Sequence, residues 1–215
     1  MMVQVATFPN GKWRENCYIV GCENGQALII DPGSQPDGIA ALIAERGWRP
    51  CAILNTHAHY DHVGAVEDLR VQYGVPFYLH RADELLLKRA NLYRMLFESS
   101  ETIRIPKETE PLPGDEVVQV GPFSIDCVAT PGHTPGSVCF RIGDYLFSGD
   151  TLLRGAVGRT DLPGGDRDQL AKSLRKLRSL PGGLVVYGGH GQSTILQKEL
   201  SPDSPAGRLA DESAN

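Results

Sequence analysis

The run Cys51-Ala52-Ile53-Leu54-Asn55-Thr56-His57-Ala58-His59-Tyr60-Asp61-His62 decides how this chain is to be read. A short apolar stretch with the character of a buried strand, Cys51 to Leu54, leads directly into three histidines and an aspartate within six residues. Imidazole and carboxylate at close, irregular spacing are the ligands a borderline divalent metal takes. His57 and His59, two apart in extended chain, point to one side and can chelate one ion. Asp61 and His62 stand where the chain turns into a helix and face a second position.

Working outward, the other metal-ligand candidates also follow strands. His133 lies in Pro131-Gly132-His133-Thr134-Pro135-Gly136 after the strand-like Phe123 to Ala129, and can complete a three-histidine set with His57 and His59. Asp150 follows Tyr145 to Phe147 and can bridge two ions with its two oxygens. His190 follows Leu184 to Tyr187 and can join Asp61 and His62. Seven such groups exceed what one tetrahedral ion uses, so the pattern predicts two metals at one sheet edge, where strand-end loops converge. His80 stands without a companion and is expected to cap a helix or lie on the surface. Gly132, Gly136, Gly189 and Gly191 flank ligands and are expected to permit tight turns.

The remaining sequence alternates strands and helices. Cys17 to Val20 and Ala27 to Ile30 read as strands about the turn Glu23-Asn24-Gly25, and Ile39, Leu42 and Ile43 mark a helix stopped by Gly47. Val63, Val66 and Leu69 form one helical face closed by Gly74. Phe77 to Leu79 is a strand, and Asp83 to Phe97 reads as one long helix. Val117 to Val120 and Val138 to Ile142 read as further strands. Asp168 is placed to cap a helix carrying Leu170, Leu174, Leu177 and Leu180, ended by Pro181-Gly182-Gly183. One domain over residues 1–200 is expected, with a tail over 201–215 whose Ser, Pro, Asp, Gly and Ala content predicts disorder.

Bulk composition excludes several classes of function. At 215 residues, 41% hydrophobic and 22% charged, the chain can bury a sizeable core. A net charge of −5 without a basic run argues against nucleic acid as a partner. No apolar run approaches the roughly 20 residues of a membrane helix, and Met1 to Asn16 lacks the apolar core of a signal peptide. Five scattered cysteines without a Cys-x-x-Cys pair fit reduced thiols in a cytoplasmic protein.

With these residues the chain resembles the metallo-β-lactamase superfamily, and within it the short, single-domain glyoxalase II-like (hydroxyacylglutathione hydrolase) branch. His57, His59, Asp61 and His62 match the H-x-H-x-D-H motif. His133, Asp150 and His190 match the later histidine, the bridging aspartate and the final histidine, and Gly158-Arg159-Thr160-Asp161 is similar to the same branch. The resemblance spans about Cys17 to Glu199. It implies an α/β fold, an αββα four-layer sandwich with the metals at one edge. It also implies two divalent ions, zinc first with iron or manganese as alternatives, and hydrolysis of a small-molecule thioester by a metal-activated hydroxide. S-D-lactoylglutathione, cleaved to D-lactate and glutathione, is the type substrate, and Asp61 would orient or deprotonate the nucleophile.

Departures narrow this. Exported β-lactamases of the superfamily lack the histidine at position 62. Residues 192–215 are too few for the helical domain with which two-domain glyoxalase II helps hold glutathione. Ser201-Pro202-Asp203 stands where Asn-Pro and an aromatic would be expected, which weakens the case for glutathione. Asp31, on a strand-end loop, is a candidate to hydrogen-bond a ligand imidazole. Tyr60 is expected to pack beside the ligands. Arg159 either contacts an anionic substrate group or pairs with Asp161 or the Asp150 loop. The alternative reaction is a mononuclear-iron persulfide dioxygenase using His57, His133 and Asp150, a facial triad. Lactone or phosphodiester hydrolysis is a second alternative, and a non-catalytic metal module a third.

Overall fold

The computed structural model describes residues 2–99 and 101–212. Two six-stranded sheets face each other. The first has the order β1 (Val3–Asn10), β2 (Glu15–Cys22), β3 (Gln26–Ile30), β4 (Arg49–Leu54), β5 (Phe77–His80), β6 (Glu110–Leu112). The second runs β14 (Thr194–Ile195), β13 (Val185–Gly188), β10 (Tyr145–Gly149), β9 (Val138–Ile142), β8 (Phe123–Ala129), β7 (Val117–Val120). A small hairpin of β11 (Leu152–Leu153) and β12 (Ala156–Val157) follows Asp150.

The period of two along each strand sorts side chains into layers. In β2, Cys17 and Ile19 point outward to the helices, while Tyr18, Val20 and Cys22 point between the sheets. In β9, Val138, Phe140 and Ile142 fill the same inter-sheet core and Cys139 faces the opposite helical layer. On one outer face α1 (Pro36–Glu45) and α3 (Val66–Tyr73) cover the first sheet; on the other, α6 (Arg167–Leu177) and α8 (Pro205–Glu212) cover the second. The result is the four-layer αββα sandwich.

Strand sense places the functional loops. β3, β4 and β5 run parallel, as do β10 and β13. β8 is antiparallel to β9, which is antiparallel to β10, so β8 runs with β10. The C-terminal ends of β4, β8, β10 and β13 therefore reach one edge, carrying His57, His133, Asp150 and His190. β2 opposes β3, so its first residues, Glu15 and Asn16, arrive at that same edge.

Several local expectations are corrected. The long helix over 83–97 is three pieces: a 3-10 turn (Arg81–Asp83), α4 (Glu84–Lys88) and α5 (Ala90–Phe97). A tertiary contact holds α5 separately, because the Asn91 amide bonds both backbone groups of Ile103 at 2.8 and 3.0 Å. Val63, Val66 and Leu69 are all buried, but the helix carrying them breaks after α2 (Tyr60–Val63). The cap of α6 is Asp166, whose carboxylate accepts from Gln169 N at 2.9 Å; Asp168 lies inside the first turn. His80 does cap, accepting from Ala82 N.

The largest correction concerns the tail. After the short α7 (Leu196–Glu199), residues 205–212 form α8 instead of a disordered end. The composition is small and polar, yet Ala206, Leu209 and Ala210 recur at helical spacing and bury against the Leu170 and Leu174 layer. Arg178 ties the helix down through Asp211 and the Gly207 carbonyl. The expected tail residues 213–215 lie outside the described residues. Leu209→Ala should therefore cost about 2–5 kcal/mol of stability in urea unfolding, whereas a disordered tail would register less than about 0.5 kcal/mol.

Candidate metal centre

The ligand run starts where β4 ends. Asp31, at φ 51° beyond β3, accepts from Thr56 N at 2.7 Å and from Thr56 Oγ1 at 2.6 Å, fixing the chain as it leaves the strand. The Asn55 amide donates to the His62 carbonyl at 2.7 Å and closes the loop on itself. Asp83, fully buried, accepts from Ala58 N, Thr134 Oγ1 and Gly136 N at 2.9, 2.8 and 2.7 Å. One carboxylate thus binds the His57–His62 loop to the His133 loop. Asn16 performs the same task for His190, donating to the carbonyls of Gly188 and Gly191.

These supports orient the rings. Thr56 Oγ1 spends its proton on Asp31, so the His57 Nδ1–H donates to Thr56 Oγ1 at 3.0 Å. His62 Nδ1 bonds Asp31 at 3.2 Å, His133 Nδ1 bonds the Arg159 carbonyl at 2.8 Å, and His190 Nδ1 bonds the Trp13 carbonyl at 3.2 Å. In each of the four the Nε2 is left facing inward, the arrangement that fixes a metal-binding tautomer. His59 presents Nδ1, which lies 2.9 Å from His133 Nε2.

Three groupings emerge: His57, His59 and His133; Asp61, His62 and His190; and Asp31, His57 and His62, in which Asp31 serves as the hydrogen-bond partner already described. Asp150 stands between the first two, with an oxygen 3.6 Å from His133 Nε2, 3.7 Å from His62 Nε2 and 3.5 Å from His190 Nε2. Asp61 Oδ2 lies 3.6 Å from His190 Nε2. Close approach is possible because Gly189 has no side chain: a Cβ there would sit 2.1 Å from Asp150 Oδ1.

The donor set fits divalent metal. His57 Nε2, His62 Nε2 and Asp150 Oδ1 are buried with no hydrogen-bond partner, and an unpaired buried polar atom is costly unless an ion satisfies it. Burial, reinforced by the neighbouring imidazoles, holds His57 and His59 well below the usual histidine range, so both are neutral ligands at pH 7. Burial also pulls on His62, but the Asp31 hydrogen bond and the charges of Asp61 and Asp150 outweigh it and push His62 up to about 10. Asp150 is lowered, the surrounding histidines overcoming its burial. The inner carboxylates draw in positive charge, and a cation can replace the proton on His62.

Tyr60 is half-exposed, and its hydroxyl accepts from Trp13 Nε1 at 2.8 Å. Arg159 makes a bidentate pair with Asp161 at 2.7 and 2.8 Å, so of the readings open for it the guanidinium takes the ion pair. All five cysteines are unpaired, four of them buried. Asp83, Asn16, Thr56 and Asn55 were not singled out in the sequence. For Asp83 the sequence shows only an acid at a helix start three residues beyond β5. Glu15 was also missed: both its oxygens are buried and unpartnered, and burial, with Asp61 and Asp31 adding and His62 opposing, raises it to about 9.

Residues 10–190 match the family model for the metallo-beta-lactamase superfamily. The chain is 38% identical to the probable metallo-hydrolase YqgX of Bacillus subtilis (strain 168), covering 89% of this chain and 92% of that protein. It is 30% identical to hydroxyacylglutathione hydrolase GloC of Haemophilus influenzae, covering 92% and 95%. Among solved structures, TTHA1623 in a di-iron-bound form superposes with a TM-score of 0.85 at 40% identity, covering 94% of this chain and 99% of that one.

Glu15 yields a pH-dependent expectation. A carboxyl raised from 4.5 to about 9 binds its proton more tightly folded than unfolded. Its contribution to stability is therefore full below pH 4.5 and is lost as pH rises through 9. Glu15→Gln removes the titration. In metal-free protein its stability gain over the parent should be absent near pH 4.5 and grow steadily to pH 9, read from urea midpoints. His62 titrates in both proteins but is coupled to Glu15, so the growth of the gain with pH belongs to the pair; a gain independent of pH would refute the assignment.

Proposed function

Because the chain belongs to the metallo-β-lactamase superfamily and is a metal-dependent hydrolase of it, we propose that it hydrolyses thioesters in the manner of glyoxalase II, with S-D-lactoylglutathione as the reference substrate. The observation that carries this reading is the pair of three-ligand groups flanking Asp150 at the floor of a cavity. His57, His59 and His133 would hold one ion, Asp61, His62 and His190 a second, and Asp150 both. Bound there, divalent ions would supply a hydroxide nucleophile at neutral pH and polarisation of the substrate carbonyl.

The chain's own residues do the rest. Asp61 Oδ2 stands at the cavity floor, where it can orient the attacking water and accept its proton. Asp31 keeps His62 from rotating and Thr56 keeps His57 in place, so the inward nitrogens need no reorganisation as charge develops. A thiolate leaving group, with a conjugate acid near pKa 8.5 or so, needs little proton donation. That suits a floor lined by metal-ligand side chains. The same seven ligand residues would serve a one-iron dioxygenase, so the ligand set does not separate the two reactions; His190 within Gly189-His190-Gly191 favours the hydrolase. Zinc is the metal we assign first, and the di-iron-bound relative supports iron as the alternative. The unpaired cysteines support a reducing, cytoplasmic setting.

Plasma mass spectrometry of the purified protein should give close to two metals per chain. Asp150→Ala should lose metal and at least about 100-fold in turnover of S-D-lactoylglutathione, and Asp31→Ala should weaken metal binding by about 10–100-fold. One iron per chain, with oxygen uptake on glutathione persulfide, would replace the hydrolase by the dioxygenase.

A further inference from the structure

In front of the ligand cluster lies a cavity of about 280 Å³, whose floor is His59, Asp61, His133, Asp150 and His190. Its walls are apolar. They include Trp13, Tyr60, Leu86 of α4, Tyr93 and Phe97 of α5, and Leu162. Trp13 is 48% and Phe97 46% exposed, so these are large apolar surfaces kept open to solvent at the mouth of a site. Burying them against a ligand removes apolar surface from water and favours an apolar occupant.

Charge is nearly absent from those walls. Arg159 is the one lysine or arginine lining the cavity among the described residues, and in this structure its guanidinium is engaged by Asp161 in an exposed bidentate pair. Beyond the Trp13–Tyr60 hydrogen bond lies a second hollow of about 350 Å³, and there two of the three cations are paired with acids. Arg104 bonds Asp68 at 2.7 Å, and Arg94 lies 3.6 Å from Glu98. Lys12 sits 5.2 Å over the Trp13 ring on that far side. A peptide thiol with two carboxylates would find one loose cation, outside the cavity. An aromatic ring would find edge and face partners in Trp13, Tyr60, Tyr93 and Phe97.

We propose that the substrate group seated in this cavity is uncharged and carries an aromatic ring, and that the glutathione tripeptide is not what the walls recognise. This rests on the thioester reading only for the bond that is cut; the recognition stands on the cavity itself. The ring can belong to the acyl or to the thiol half.

Binding is tested on the metal-loaded protein with two uncleavable thioethers, S-benzyl-N-acetylcysteamine and S-methylglutathione, followed by Trp13 fluorescence with Trp13→Phe as the blank. The benzyl compound should bind at least about 10-fold more tightly. Phe97→Asp, at a half-exposed position away from the ligands, should erase that advantage, and Tyr93→Ser should repeat the effect. Tighter binding of S-methylglutathione, or no response to either variant, overturns the proposal. The kcat/KM values for S-phenylacetyl- and S-acetyl-N-acetylcysteamine and for S-benzyl thioacetate then place the ring. A faster phenylacetyl compound assigns it to the acyl half, a faster benzyl thioacetate to the thiol half. Benzyl-selective binding without any thioester cleavage would sink the thioester reading and leave the cavity's preference standing. Cleavage of all three at equal rates without selective binding would do the reverse.

Discussion

Five imidazoles and two carboxylates point at one another from four loops, and the rest of the edge is built to tolerate this. Four of the five rings have the outer nitrogen occupied, by Asp31, Thr56, the Arg159 carbonyl or the Trp13 carbonyl. Left to itself such a cluster would turn its polar atoms toward water or backbone donors, because unpaired buried groups are expensive. The carboxylates of Asp31 and Asp83 and the amide of Asn16 prevent that by holding backbone as well as side chain. Glycine at 189 then lets the last loop close to within contact of Asp150.

Much of this was legible beforehand, for one physical reason. Metal chemistry restricts ligand types, and sheet geometry restricts where they can sit, so a histidine-rich run after a buried strand has few interpretations. All seven ligand candidates meet at one edge, and Asp31 reaches His62 as expected. β2 and β9 were likewise readable as apolar runs because both their faces are buried, and β8 because Ser124 and Asp126 alternate with the buried Phe123, Ile125 and Cys127.

What escaped reading depended on contacts between distant segments. Nothing local marks Glu15 as buried, since its environment is made by Gly33 and Asp61. Asp83 reads as an ordinary helix-start acid until the Thr134 loop arrives. The break between α4 and α5 follows from Asn91 meeting Ile103, and α8 forms because α6 offers an apolar face that its modest composition does not advertise. Edge strands β1, β6 and β14 are short or half-exposed and carry little periodic signal.

The two ligand groups differ in how they meet solvent. His57, His59 and His133 are all buried, whereas Asp61 and His190 are partly open to the cavity. Both groups nevertheless reach the cavity, the inner one through His59 and His133. An ion held by the inner group would have protein on more of its sides than one held by the outer group, and would keep fewer positions open to water or substrate.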